Sequence, residues 1–139
     1  MDPHGTLARL ARREVDEERR ALAALDQRRK ALMERIEELS REAAREAEAA
    51  DQLPGGPMLL LRFLGARRER ERSLRAELDA LDRERLVQLE RLAEKRLEAR
   101  RLERLAERRR AVADELATRR ETKALDDLVN ARAAHRQAR

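Results

Sequence analysis

Apolar residues along the first third of the chain recur at the alternating three-and-four spacing of a helix that buries one stripe. Counting in sevens gives the row Ala8, Val15, Leu22, Arg29, Ile36, Ala43 and Ala50, beside the row Ala11, Glu18, Leu25, Leu32, Leu39 and Glu46. Ten of these thirteen positions are apolar, so the pattern predicts a continuous seam. Between Gly5 and Ala50 there is no proline and no further glycine, and most residues are strong helix formers. Helix one is therefore expected over 5–50.

The pattern stops at DQLPGGPMLLLRFLGARR, residues 51 to 68. Pro54 and Pro57 lack the backbone donor, and the pair Gly55 and Gly56 supplies unusual dihedrals, so a bend is expected over 51–57. Pro57 suits the start of a second helix, and beyond it only Gly65 interrupts helix-forming sequence. Helix two is expected over 58–137, about 120 Å long if unbroken.

Folding the chain back about Gly55 makes facing residues carry numbers that add to about 110. Ile36 then meets Leu74, Leu32 meets Leu78, Ala11 meets Ala99 and Ala8 meets Leu102, all apolar. Arg29 against Leu81, Leu25 against Arg85, Glu18 against Leu92 and Val15 against Lys95 match poorly. Leu86, Leu89 and Leu97 lie beside those positions, and the expectation is a stutter that shifts the stripe. The fold class expected is all-α: one domain, 1–139, an antiparallel two-helix coiled-coil hairpin whose longer second helix overhangs at the C-terminus, unpaired beyond about residue 105. The overhang carries Val112, Leu116, Leu125, Leu128 and Val129, which are expected to form a thin stripe that something covers.

Composition narrows the function classes. Of 139 residues 45% are charged and Phe63 is the one aromatic, too little bulky apolar surface for a globular catalytic core. Dominance of Ala, Glu, Leu and Arg with few Pro and Gly argues for long helices over disorder. The net charge of +5 arises in the second half: residues 5 to 50 carry eleven basic and eleven acidic side chains, residues 57 to 139 carry 23 and 16. Acidic residues are interleaved throughout, which weakens the potential that phosphates would feel, and no nucleic-acid partner is expected. There is no cysteine, no apolar stretch suited to a signal peptide, and none long enough for a membrane span. A cytoplasmic location is the expectation.

Candidate chemistry is sparse. The hydroxyls of Thr6, Ser40, Ser73, Thr118 and Thr122 lie far along the chain from a matching base, since His4 and His135 sit near opposite ends. PGGP is followed by Met58 and Leu59 and lacks the Lys and Ser/Thr of a phosphate loop. The carboxylates fit solvated helix faces better than a desolvated pair, and neither histidine has a second ligand at helical spacing. No enzymatic activity, cofactor, metal or small-molecule substrate is expected. The run Met58 to Leu64 covers more than one helix face, so it serves either as an end plug or as a docking patch. The arginine runs are solvated faces or, alternatively, docking sites for acidic surfaces.

Two end segments carry a resemblance. LARLARREVDEERRALAAL, with Leu7, Leu10, Glu14, Val15 and Asp16, resembles the opening of the flagellar FliJ family, and RRETKALDDLVNARAAHR, with Glu121, Lys123, Leu125, Asp126 and Asp127, resembles its closing segment. Length, the mid-chain bend and the longer second helix agree. The resemblance implies a soluble stalk of the flagellar type III export apparatus, similar to the shaft of rotary ATPases, with the chain ends inserted in a hexameric export ATPase. It also implies contact between the bend and the export-gate membrane protein, escort of export chaperones, and peripheral association with the inner membrane at the flagellar base. Leu60, Phe63 and Leu64 are the candidates for the gate, although Phe63 stands alone where that family places several aromatics. Val112, Leu116, Leu125 and Leu128 with Arg109 and Arg120 are the candidates for the ring. The stalk of a virulence type III secretion system, a basic nucleic-acid-binding coiled coil and a dimeric scaffold are the alternatives.

Overall fold

The computed structural model describes residues 2–138. It is all-helical: α1 spans Pro3–Ala50 and α2 spans Gly56–Gln137, and the two pack against each other. No helix among the described residues is long and apolar enough to cross a membrane. The chain divides into two compact units, Val15–Lys95 and a second formed by the chain up to Glu14 with Arg96 onward.

α1 begins two residues before the expected Gly5 because Asp2 caps it. Its Oδ1 accepts the His4 N–H at 3.1 Å, its carbonyl accepts the Thr6 N–H at 3.1 Å, and Pro3 occupies the first helical position, where no donor is missed. The helix ends at Ala50 through a tightening turn, in which Gln52 N–H donates to the Ala49 carbonyl and Leu53 N–H to the Ala50 carbonyl. Gly55 then adopts φ 72°, a left-handed conformation that side chains disfavour, and Gly56 N–H donates back to the Leu53 carbonyl at 3.1 Å. Gly56 opens α2 under the end of α1, so close that a Cβ there would lie 2.0 Å from the Ala50 carbonyl oxygen. α2 runs through Gly65 as helix.

In the unit Val15–Lys95, the side of α1 turned inward is the heptad pair read from the sequence, save Glu46, which is exposed: Val15 is fully buried, Leu39, Ala43 and Ala50 are buried, and Glu18, Leu22, Leu25, Arg29, Leu32 and Ile36 are half-buried. On α2 positions 60, 64, 67, 71, 74, 78, 81, 85, 88, 92 and 95 are covered in an unbroken alternation of four and three, with 56, 63 and 82 covered beside them. The expected stutter is absent. Leu86 is 62% exposed and Leu97, in the other unit, 49%, while Arg67, Glu71, Arg85, Gln88 and Lys95 occupy covered positions.

Those polar residues hold their places because α1 supplies partners. Arg29 Nε donates to Asp82 Oδ1 at 2.8 Å, Arg85 Nε donates to Asp26 Oδ1 at 2.6 Å, and Gln88 Nε2 donates to the Glu18 carbonyl at 3.0 Å and to the Glu18 carboxylate. Partner numbers on α2 fall as those on α1 rise. Gln88 is the one buried polar residue among those described, and its satisfied amide avoids the desolvation cost of about 1–3 kcal/mol that an orphaned group carries.

The other unit is held more lightly. Its buried apolar residues are Ala8, Ala11, Ala99 and Ala106, and burying a methyl-sized group contributes only about 0.8 kcal/mol. Arg12 and Glu103 approach at 3.9 Å and Arg110 and Asp2 at 3.7 Å, both partly exposed pairs of small energetic value. Beyond Ala106 every residue of α2 is exposed, through Gln137.

Candidate docking surfaces

The bend sorts its apolar run by direction. Leu60, Phe63 and Leu64, the gate candidates, are half-buried; Leu60 and Phe63 line a small cavity with Glu46, Ala50, Leu53 and Leu59. The outward residues are their neighbours Leu53, Met58, Leu59 and Leu61, with Met58 and Leu61 each 68% exposed. A run of six apolar residues exceeds what one helix partner can cover, so part plugs the end and part faces water. The sequence reading nominated the inward part.

On the exposed end of α2, Val112, Leu116, Leu125, Leu128 and Val129 are all solvent-facing, as are Arg109 and Arg120. At about 100° of rotation per residue, Arg109, Val112, Leu116 and Arg120 share one side of the helix. Leu125 lies thirteen residues past Val112, roughly 220° around the axis, with Leu128 and Val129 on the same far side. The expected single stripe is two patches on nearly opposite faces. Thr118 and Thr122 return their hydroxyls to the carbonyls of Asp114 and Thr118, each at 2.9 Å, and Arg119 pairs with Glu115 at 2.6 Å. These contacts are local to the helix.

The pairing of the seam leaves one further feature that sequence reasoning passed over. Small residues open a groove of about 650 Å³ along the Val15–Lys95 unit, lined by Ala21, Ala24, Leu25, Ala80, Val87 and Gln88 among others. Its signal was legible as alanines at helical spacing on α1, but their meaning depends on which α2 residues stand beside them. Leu86 and Leu89 lie outside it.

Among the described residues there is no cluster of three or more His, Cys, Asp or Glu able to hold a metal. Ser40 Oγ accepts from Arg67 Nη2 at 3.3 Å, and Ser73 is exposed. The carboxyl of Asp2 is held below the usual 3.8, by the N–H of Gly5 above all; burial opposes this, and the N–H of His4 and the charge of Arg110 add to the lowering. That is the electrostatics of a helix cap. No protein-family model matches the chain, and no curated protein or solved structure shows significant similarity to it.

Proposed function

We propose that this chain is a non-enzymatic stalk and adaptor of the flagellar type III protein export apparatus, an antiparallel coiled-coil hairpin of the FliJ kind. Support for the coiled-coil reading comes from the pairing of flanking positions, Arg28 with Glu84 and Arg12 with Glu103, which sit beside the seam at matching heptad positions. The observation that carries the functional reading is the bare end of α2: residues 107–137 are helical, apolar in two patches, and all exposed. A helix built to be covered from outside suits insertion in a ring of subunits.

In this reading the joined chain ends enter a hexameric export ATPase and favour its assembly, which raises hydrolysis. The apolar residues at the bend face the export-gate membrane protein, and export chaperones are further partners. The protein is then cytoplasmic, peripherally held at the inner membrane of the flagellar base. A virulence secretion stalk has the same physics and is the nearest rival.

The test is to mix purified chain with a flagellar export ATPase and, separately, with a virulence-type one. Increased ring formation and hydrolysis with the first supports the reading; stimulation of the second alone moves it to the rival. No effect on either, together with a concentration-independent dimer by light scattering, would replace it with the dimeric scaffold.

A further inference from the structure

The bare end of α2 sorts its charges by face. Within about 120° of helix circumference, from Leu105 to Lys123, lie Leu105, Arg108, Arg109, Val112, Leu116, Arg119, Arg120 and Lys123. That strip contains five cations, three large apolar residues and no acid. The acids of the same stretch, Glu107, Asp114 and Glu121, fall on the opposite side; Glu115 lies at the edge, where it engages Arg119. The strip is about 27 Å long, five helical turns.

Its cations are available. Among the described residues, Arg108, Arg109, Arg120 and Lys123 make no ion pair, whereas Arg110, on the far side of the helix, meets Asp2. Leu105, Val112 and Leu116 are 38%, 55% and 48% exposed along the centre line.

We infer that this strip is the docking face for an acidic amphipathic helix of a partner protein, with apolar residues along its middle and carboxylates on both flanks. Charge complementarity selects an acidic occupant, and arginine's planar fork adds bidentate pairing with carboxylates. The apolar centre line selects a polypeptide. A phosphate backbone would leave Leu105, Val112 and Leu116 against charged oxygens, and the strip has no aromatic residue on which bases stack. A lipid surface is disfavoured because three side chains without Trp or Phe bury little area in the acyl region. The inference does not depend on the stalk reading, since any partner presenting this chemistry satisfies it; within that reading, it makes the surface met by the inserted helix acidic.

The probe is a synthetic helical peptide with leucines at three-and-four spacing flanked by glutamates, compared with a scrambled peptide of the same composition, a 24-base-pair DNA duplex, and phosphatidylserine vesicles. The full chain should bind the patterned peptide at physiological salt at least about tenfold tighter than the scrambled one. Arg109→Gln with Arg120→Gln, and separately Val112→Gln with Leu116→Gln, should each weaken it about tenfold or more with helix content by circular dichroism unchanged. Leu125→Gln with Val129→Gln, on the other face, should leave it unaltered. Equal binding of the scrambled peptide, tighter binding of duplex or vesicles, or equal loss from the far-face variant would each overturn the assignment. Failure here with ring stimulation intact would leave the stalk reading standing; the reverse would leave the acidic-helix face standing.

Discussion

Arg29 on α1 and Asp82 on α2 form an ion pair at 2.8 Å, and one turn away Asp26 and Arg85 form its mirror at 2.6 Å. The two pairs act together as a register lock. Sliding one helix by three residues in one direction brings Arg29 toward Arg85; sliding it in the other brings Asp26 toward Asp82. A three-residue slip in either direction therefore opposes one pair of like charges, while hydrophobic contacts alone tolerate it because leucine recurs at the same spacing.

The energetic size of this lock is modest, since its side chains are about 40% exposed. A double-mutant cycle on Arg29→Ala and Asp82→Ala, read by urea unfolding, should give a coupling of about 0.5 kcal/mol. Charge reversal has the larger effect. Arg29→Asp with Arg85→Asp should destabilise the Val15–Lys95 unit, and adding Asp26→Arg with Asp82→Arg should restore it. Restoration that fails would show that the pairs are incidental to register.

The glycines make a second, graded prediction. Gly55→Ala meets no atom within 4 Å, so its penalty is only the left-handed backbone, about 1 kcal/mol. Gly56→Ala drives a methyl into the Ala50 carbonyl and should cost more, about 2–3 kcal/mol, as the turn is forced open. Gly65→Ala sits in open space inside a helix and should stabilise by about 0.5–1 kcal/mol. Chemical denaturation followed by circular dichroism ranks the three. Equal effects at 55 and 56 would refute the proximity of the two helix ends.

Asp2 gives a pH prediction with a definite sign. Its carboxyl is held below the ordinary value of 3.8, so the folded cap binds a proton less readily than the unfolded chain. The stabilisation it contributes is fully present above that ordinary value and disappears as pH falls through the lower, folded one. The amide shifts of His4 and Gly5 should titrate in this acid window, and Asp2→Asn should remove the titration while keeping the cap. A midpoint at or above 3.8 would contradict the hydrogen-bonded cap.

The inward stripe of α1 was legible in the sequence because Val15, Leu39 and Ala43 follow one heptad without help from elsewhere. α2 was legible only in part: Leu74, Leu78, Leu81 and Leu92, found by counting back from the bend, are covered, but Leu86 and Leu97 look like core by hydropathy and Arg85 and Gln88 do not. Only the identity of the facing residue, Asp26 or Glu18, makes a polar seam position sensible, and that requires both helices in register. The two patches at the end of α2 had a different obstacle. Val112 and Leu125 are close in sequence and similar in chemistry, and only rotation about the axis separates them; the same rotation gathers Arg108, Arg120 and Lys123 beside Leu116.

Among the described residues, the exposed segment from Glu107 onward is kept wound by its own backbone ladder, hydroxyl returns and one glutamate–arginine pair, with a single partly exposed tie near its start, Arg110 to Asp2. It therefore obeys helix–coil statistics instead of the cooperative melting of a packed core: warming unwinds it gradually from its free end, cooling winds it back. A ligand that requires the wound form must supply the ordering free energy, which grows with temperature. Affinity at this end of the molecule should accordingly decline on heating well before the paired helices separate, making temperature a regulator of docking.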